Sequence, residues 1–266
     1  MAIEAHQPTV PLPSGANLPL LGFGTWQMTG SECYRAVRHA LEVGYRHIDT
    51  ATMYRNERDV GRAVRDSGVR REDVFLTTKL PPSDAGRERR TLDQSLRALG
   101  MDFVDLWLVH WPPAGSAGSS KVWKGFLALR DEGRVGAVGV SNYSVAQLDD
   151  LVRATGEAPE VNQIRWGPTL YDPDDVREHR QRGVVLEGYS PFKTTDLRHP
   201  VLVDVAKRHG VTPAQVVIRW HIDHGVVVIP KSATPERITA NFDVFDFALD
   251  DDDLRRIDAL SGAARR

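Results

Sequence analysis

The chain has 266 residues, with 34 basic and 36 acidic side chains and a formal net charge of −2. A hydrophobic content of 41% and a charged content of 26% are ordinary for a soluble globular protein; they exclude a disordered chain, a collagen and a disulfide scaffold. The near-neutral charge gives no reason to expect nucleic acid or an anionic membrane as a partner.

Cys33 is the one cysteine and cannot pair within the chain, which suits a reducing compartment. The start, MAIEAHQPTV, lacks a basic segment followed by an apolar run. No stretch approaches the roughly 18 apolar residues of a membrane span. The expected location is the cytoplasm.

In chain order, PTVPLPSGANLP reads as a small hairpin turning at Ser14-Gly15, placed at the bottom of whatever follows. LPLLGFG reads as a strand ending near Gly24. A helix follows, capped by Ser31, with Tyr34, Val37 and Leu41 on one face and Gly44 at its end. Strand-like runs then end at Asp49, Lys79, His110, Ser141, Gln163, Tyr189 and Lys231. They are apolar and β-branched almost throughout, as in strands buried on both faces of a parallel sheet. Between them, Leu92, Leu96 and Leu99 form a helical stripe closed by Gly100, and Ser144 precedes another. Thr212-Pro213 and Thr234-Pro235 each place a cap before proline at a first helical position. The long interval before the last strand has room for two helices. Asp250 to Asp253 reads as an acidic first turn.

Eight strands alternating with helices over about 250 residues predict one α/β domain, residues 1–266. Its expected architecture is a (β/α)8 TIM barrel with an N-terminal β-hairpin and extra helices. The rival, a doubly wound dinucleotide fold, needs G-x-G-x-x-G after an early strand, and Gly22-Phe23-Gly24-Thr25-Trp26-Gln27 lacks the third glycine.

In such a barrel, reactive groups sit at the C-terminal ends of strands. That rule collects Asp49, Lys79 and His110 from three consecutive strands, with Tyr54 five residues beyond Asp49. A phenol of pKa about 10 is a poor acid near neutrality, and an adjacent ammonium lowers that value. An aspartate would hold the lysine charged, and a histidine would orient a substrate carbonyl. Together they make a general acid for carbonyl reduction, with a hydride arriving from a cofactor. His221 and His224 share a helix without a further ligand beside them, so no metal is expected. His47 reads as a polar core residue, Cys33 as an unreactive thiol, and Trp123 and Phe126 as helix-to-barrel packing.

These residues stand in Gly-Tyr-Arg-His-Ile-Asp49-Thr-Ala-x-x-Tyr54, Thr-Thr-Lys79, Leu-Val-His110-Trp-Pro, Gly-Val-Ser141-Asn142, Val-Asn-Gln163, Tyr189-Ser190-Pro191 and Ile-Pro-Lys231-Ser232. In this order they resemble the aldo-keto reductases over nearly the whole chain, and most closely the short bacterial branch that includes diketogluconate reductases and small aldehyde reductases. The resemblance implies NADPH-dependent reduction of aldehydes or ketones, with Tyr54 as proton donor, Lys79 and Asp49 tuning it, and His110 orienting the carbonyl. It implies that Ser141, Asn142 and Gln163 hold the nicotinamide carboxamide and that Tyr189 stacks on the ring. Gly24, Thr25, Trp26, Asp49, Ser190 and Phe192 complete the expected cofactor contacts on that side. Trp26 and Trp111 would wall a substrate pocket shared with Tyr54 and His110.

The phosphate end has its own argument. Lys231 and Ser232 precede the helix capped by Thr234-Pro235, and Arg237 falls in its first turn. A helix N-terminus binds anions, so this cluster favours a 2′-phosphate, hence NADPH over NADH. Asn241 matches the family's adenine contact. Three stretches depart from the family pattern: Ala240, Arg165-Trp166-Gly167, and Phe192-Lys193-Thr194. Arg165, Trp166 and Lys193 would bias the pocket toward anionic or aromatic carbonyls. The tail ends at Ser261-Gly-Ala-Ala-Arg-Arg266, without the long terminal loop of larger members, which predicts an open pocket. The expected partner is a small carbonyl compound and the expected state a monomer. The alternative from another class is a nicotinamide-bound regulatory protein with slow turnover.

Overall fold

The apolar runs form strands where the sequence spaces them. A computed structural model describes residues 7–264; residues 1–6 and 265–266 lie outside the described residues. β1 (Thr9–Pro11) and β2 (Asn17–Pro19) pair as the antiparallel hairpin. The turn is closed by Leu12 N–H to the Ala16 carbonyl, and Gly15 takes the left-handed conformation there. Ser14 N–H donates to Glu160 Oε2 at 2.8 Å, just before a barrel strand begins, which pins the hairpin to the N-terminal end of the barrel.

The barrel strands are β3 (Phe23–Gly24), β4 (His47–Asp49), β5 (Phe75–Leu80), β6 (Val104–Val109), β7 (Val135–Ser141), β8 (Val161–Arg165), β9 (Val185–Tyr189) and β10 (Val227–Ile229). They lie parallel in sequence order. A parallel bridge between Leu21 and Val228 joins the first strand region to the last, with Gly22 N–H to the Val228 carbonyl at 2.8 Å. The result is the expected (β/α)8 fold.

The helices are α1 (Gly30–Val43), α2 (Glu57–Asp66), α3 (Glu88–Leu99), α4 (Ser116–Asp131), α5 (Val145–Thr155), α6 (Pro173–Gln181), α7 (Pro200–His209), α8 (Pro213–Asp223), α9 (Pro235–Phe242), α10 (Asp251–Asp258) and α11 (Leu260–Ala264). α7 and α8 fill the long interval before β10. Ser144, Thr212 and Asp250 each close a capping box with Gln147, Gln215 and Asp253. α1 starts earlier than predicted, at Thr29 rather than Ser31. The Asp59 carboxylate accepts the Gly30 N–H at 2.8 Å, so the first turn forms two residues sooner. Thr234 opens α9 but caps nothing with its hydroxyl; the Ser232 Oγ instead accepts the Thr234 N–H.

The main core lies between the sheet and its surrounding helices, where Trp107 stacks on Phe126 at 3.9 Å, with Trp123 beside it. A second core gathers Trp166 and Trp220 with Leu202, Val205 and Val216. Cys33 is buried, and burial pushes its thiol up to about 12, so it stays protonated. Gly61 sets the approach of α2 to the end of α3. A β-carbon there would stand 1.9 Å from the Leu99 carbonyl oxygen, a backbone atom. Gly61→Ala should therefore destabilise the protein by about 3 kcal/mol in denaturant unfolding. Gly118→Ala, whose β-carbon meets only Pro113 at 3.5 Å, should be near neutral. Equal midpoints for the two variants would count against this contact as a constraint.

Candidate active site

Alternation along a strand turns every second side chain into the barrel. His47 and Asp49 on β4, Thr77 and Lys79 on β5, and Glu187 and Tyr189 on β9 follow that rule. Lys79 is wholly buried and is the centre of the arrangement. Its Nζ donates to Asp49 Oδ1 at 2.6 Å, to Asp49 Oδ2 at 2.7 Å and to the Thr50 carbonyl at 2.8 Å. All three ammonium protons thus have acceptors. Burial alone would push the ammonium down, but Asp49 and then Tyr54 outweigh it, and the Lys79 pKa stands above its ordinary value.

Tyr54 closes the short turn Thr52–Tyr54 after β4. Lys79 Nζ lies 5.1 Å from its ring centroid, and the His110 ring meets it edge-on at 5.7 Å. Burial pushes the phenol up; Lys79 pulls it back, and the net direction is upward. The expected lowering by Lys79 is present but smaller than the effect of burial, so Tyr54 carries its proton at neutral pH. Burial and then Lys79 push His110 down to about 3, which makes it a neutral imidazole. Its Nδ1 has no hydrogen-bond partner.

A chain of hydrogen bonds runs round the rim. The Tyr189 hydroxyl donates to Asn142 Oδ1 at 2.8 Å. Asn142 Nδ2 donates to the His110 carbonyl at 3.1 Å and to Ser141 Oγ at 2.9 Å. The Ser141 hydroxyl donates to the Gln163 carbonyl, and Gln163 Nε2 donates to Asp49 Oδ2 at 2.9 Å. Gln27, Arg55, Asn142 and Ser190 take positive φ. Each follows directly on a predicted site residue: Trp26, Tyr54, Ser141 and Tyr189.

Gly24 ends β3, where a β-carbon would stand 2.9 Å from the Ile229 carbonyl. Thr25 Oγ1 donates to the Asp49 carbonyl at 2.9 Å. Trp26 and Trp111 are 42% and 46% exposed at the mouth, and the Lys193 ammonium lies 4.0 Å over the Trp26 ring. Phe192 is half-buried against both cores. Lys231 and Arg237 are exposed, Ser232 and Asn241 buried, all on the segment after β10. All four lie on or just before α9, the helix that follows the last barrel strand.

One expected pocket residue faces elsewhere. Trp166 is buried in the second core, stacked 4.8 Å from Trp220, so it cannot bias a substrate at the mouth. The run Gln163-Ile164-Arg165-Trp166 alternates, which turns Arg165 inward with Gln163 and Trp166 outward.

Sequence reasoning missed the residues that brace the site. Asn56 is buried and donates to the Thr25 and Met28 carbonyls at 3.0 and 2.9 Å, while accepting from the Thr50 hydroxyl. It ties the Tyr54 loop to the Trp26 loop. Glu57 accepts from Thr78 at 2.7 Å. Both directly follow the Tyr54 motif, which was the available signal. Met53 adds a 54% exposed apolar side chain beside Tyr54.

Residues 20–261 match the aldo/keto reductase family. The chain belongs to the aldo/keto reductase family. It is 41% identical to the methylglyoxal reductase DkgA of Escherichia coli K12 over 98% of this chain and 96% of that protein. It is 41% identical to a glycerol 2-dehydrogenase (NADP(+)) of Saccharomyces cerevisiae over 90% and 87% of the two chains. The crystal structure of an aldo/keto reductase from Brucella melitensis superposes with a TM-score of 0.93 at 43% identity, covering 96% and 98% of the chains. This aldo/keto reductase is an oxidoreductase acting on carbonyl groups. Among the described residues of the reductase, no group of three or more His, Cys, Asp and Glu could hold a metal ion. No helix among them is long and apolar enough to cross a membrane.

Proposed function

We propose that the protein reduces small aldehydes and ketones, including 2-oxoaldehydes, with NADPH, and that Tyr54 is the proton donor. The observation that carries the reading is the convergence of Tyr54, His110 and the Asp49–Lys79 pair at one rim. The cofactor fits the residues at hand. Ser141, Asn142 and Gln163 offer amide and hydroxyl groups beside a half-exposed Tyr189 ring. Lys231 and Arg237 are exposed cations flanking the start of α9, and among the described residues neither is bonded to a carboxylate. NADPH supplies the hydride.

The chain supplies the rest. The neutral His110 donates a hydrogen bond to the substrate carbonyl and turns it toward Tyr54. The phenol proton moves to the carbonyl oxygen as negative charge develops there. The Lys79 ammonium favours the phenolate left behind, and Asp49 keeps that ammonium in place. Trp26, Met53 and Trp111 exclude water from one side of an open mouth. The same reading takes the chain as one domain, a monomer of the cytoplasm.

The test follows NADPH oxidation by absorbance with aliphatic, aromatic and 2-oxoaldehyde substrates. Turnover with the last class is the expected result; NADPH binding without turnover on any carbonyl would favour a cofactor-bound regulatory protein instead. Arg237→Ala should weaken NADPH binding about tenfold or more, the loss of one charge-assisted contact, and leave NADH within about twofold. Fluorescence titration of both cofactors checks this. Equal weakening would mean that the 2′-phosphate is held elsewhere.

A further inference from the structure

Beneath the Asp49–Lys79 pair lies a second carboxyl group that the mechanism above does not use. Glu187 sits on β9, two residues before Tyr189, and points into the barrel. It is wholly buried, and neither of its carboxyl oxygens has a hydrogen-bond partner. Burying a carboxyl group without partners costs free energy that an apolar side chain would avoid. On the next strand its register partner is Gln163. The Gln163 amide lies beside it but already donates to Asp49 Oδ2. On its other side the register partner is Val227, an apolar residue. Across the interior, His47 Nε2 stands 3.8 Å from Glu187 Oε1 and is already 3.1 Å from Thr77 Oγ1. Burial and then Lys79 push His47 down to about 3, so it supplies no charge.

The charged groups that face Glu187 are therefore Asp49 from β4 and Lys79 from β5. One ammonium already matches one carboxylate there, bonded to both its oxygens. A second negative charge in this interior would have no counterion.

We infer that Glu187 is a positioning residue of the reductase site, acting as an uncharged carboxyl group on Lys79 and Gln163 from below. In that form it leaves the full field of Lys79 directed at Tyr54, and it leaves the Gln163 amide on Asp49. If Glu187 ionised, its charge would offset the Lys79 ammonium where the Tyr54 phenolate forms. It would also draw the Gln163 amide away from Asp49. Both changes oppose proton donation. Burial, and then the Asp49 charge, push the carboxyl up to about 8, against the partial pull of Lys79. The ionisation of Tyr54 itself lies higher, above the ordinary phenol value. The alkaline fall in turnover should thus begin with Glu187, below the range in which Tyr54 loses its proton.

The inference rests on the roles proposed for Tyr54 and Lys79, and the experiment keeps the two apart. Wild type, Glu187→Gln and Glu187→Leu are compared for kcat and KM across the neutral and alkaline range. Glu187→Gln, uncharged and nearly isosteric, should keep kcat at neutral pH within about threefold and move the alkaline limb upward by at least one pH unit. Glu187→Leu should lower kcat about tenfold with KM little changed, because the polar shape beneath Gln163 is lost. Infrared difference spectra at neutral pH should show a protonated carboxyl band in wild type that Glu187→Gln lacks. Superimposable pH profiles for wild type and Glu187→Gln would overturn the inference, as would the absence of that band. Full turnover in Tyr54→Phe would overturn the underlying reading instead, and would leave the infrared result standing.

Discussion

Tyr54→Phe should lower kcat for carbonyl reduction by roughly 10²–10⁴-fold, the usual contribution of a positioned general acid. NADPH affinity should stay within about twofold, since a single hydroxyl is removed from a ring that keeps its packing. The phenol carries a proton at neutral pH and lies against both Lys79 and His110. His110 cannot replace it, because a neutral imidazole at this position is a far weaker acid than imidazolium. Steady-state kinetics and a fluorescence titration of the same preparation check both halves. A variant that loses cofactor binding together with turnover would mean that Tyr54 holds the cofactor rather than protonating the product.

Lys79→Met should abolish turnover and also cost the fold dearly. Methionine fills much of the lysine volume, so the cavity left is small. What remains is the Asp49 carboxylate, buried and stripped of both its ammonium contacts, and a Thr50 carbonyl without its donor. Breaking a buried pair in this way typically costs about 3–5 kcal/mol. For a chain of this size, that is a fall of roughly 10 °C in melting temperature. Adding Asp49→Asn to Lys79→Met should recover most of the lost stability and none of the activity. Melting curves of the single and double variants, beside their turnover, separate these effects; a single variant as stable as wild type would show that the pair contributes nothing to folding.

The barrel was legible because its strands read as short, largely apolar and β-branched runs alternating with capped helical stripes, so each run ended within a few residues of its strand. The four groups at the rim were legible because a barrel exposes the C-terminal ends of its strands. What stayed hidden is the second tier. Asn56 reads in sequence as one more polar loop residue, yet its amide joins two loops that are far apart along the chain. Glu187 reads as a charged residue breaking an apolar run, and nothing local says which way it points. Trp166 was misplaced for the complementary reason: its neighbour Arg165 faces inward, and a one-residue step along a strand reverses the face. The balance at Tyr54 also needed the structure, because composition does not weigh burial against a nearby ammonium.

The four positive-φ residues at the rim have a consequence for evolving or engineering the protein. A side chain in the left-handed region costs on the order of 1 kcal/mol, less for asparagine than for arginine or glutamine. Gln27, Arg55, Asn142 and Ser190 place that cost beside Trp26, Tyr54, Ser141 and Tyr189. Selection for heat resistance alone should accordingly drift toward glycine or relaxed backbone at these four positions. Glycine would relieve that cost at Gln27, Arg55 and Ser190 without turning the backbone, whereas at Asn142 it would also remove the amide that joins Tyr189 to His110 and Ser141 and so slow turnover.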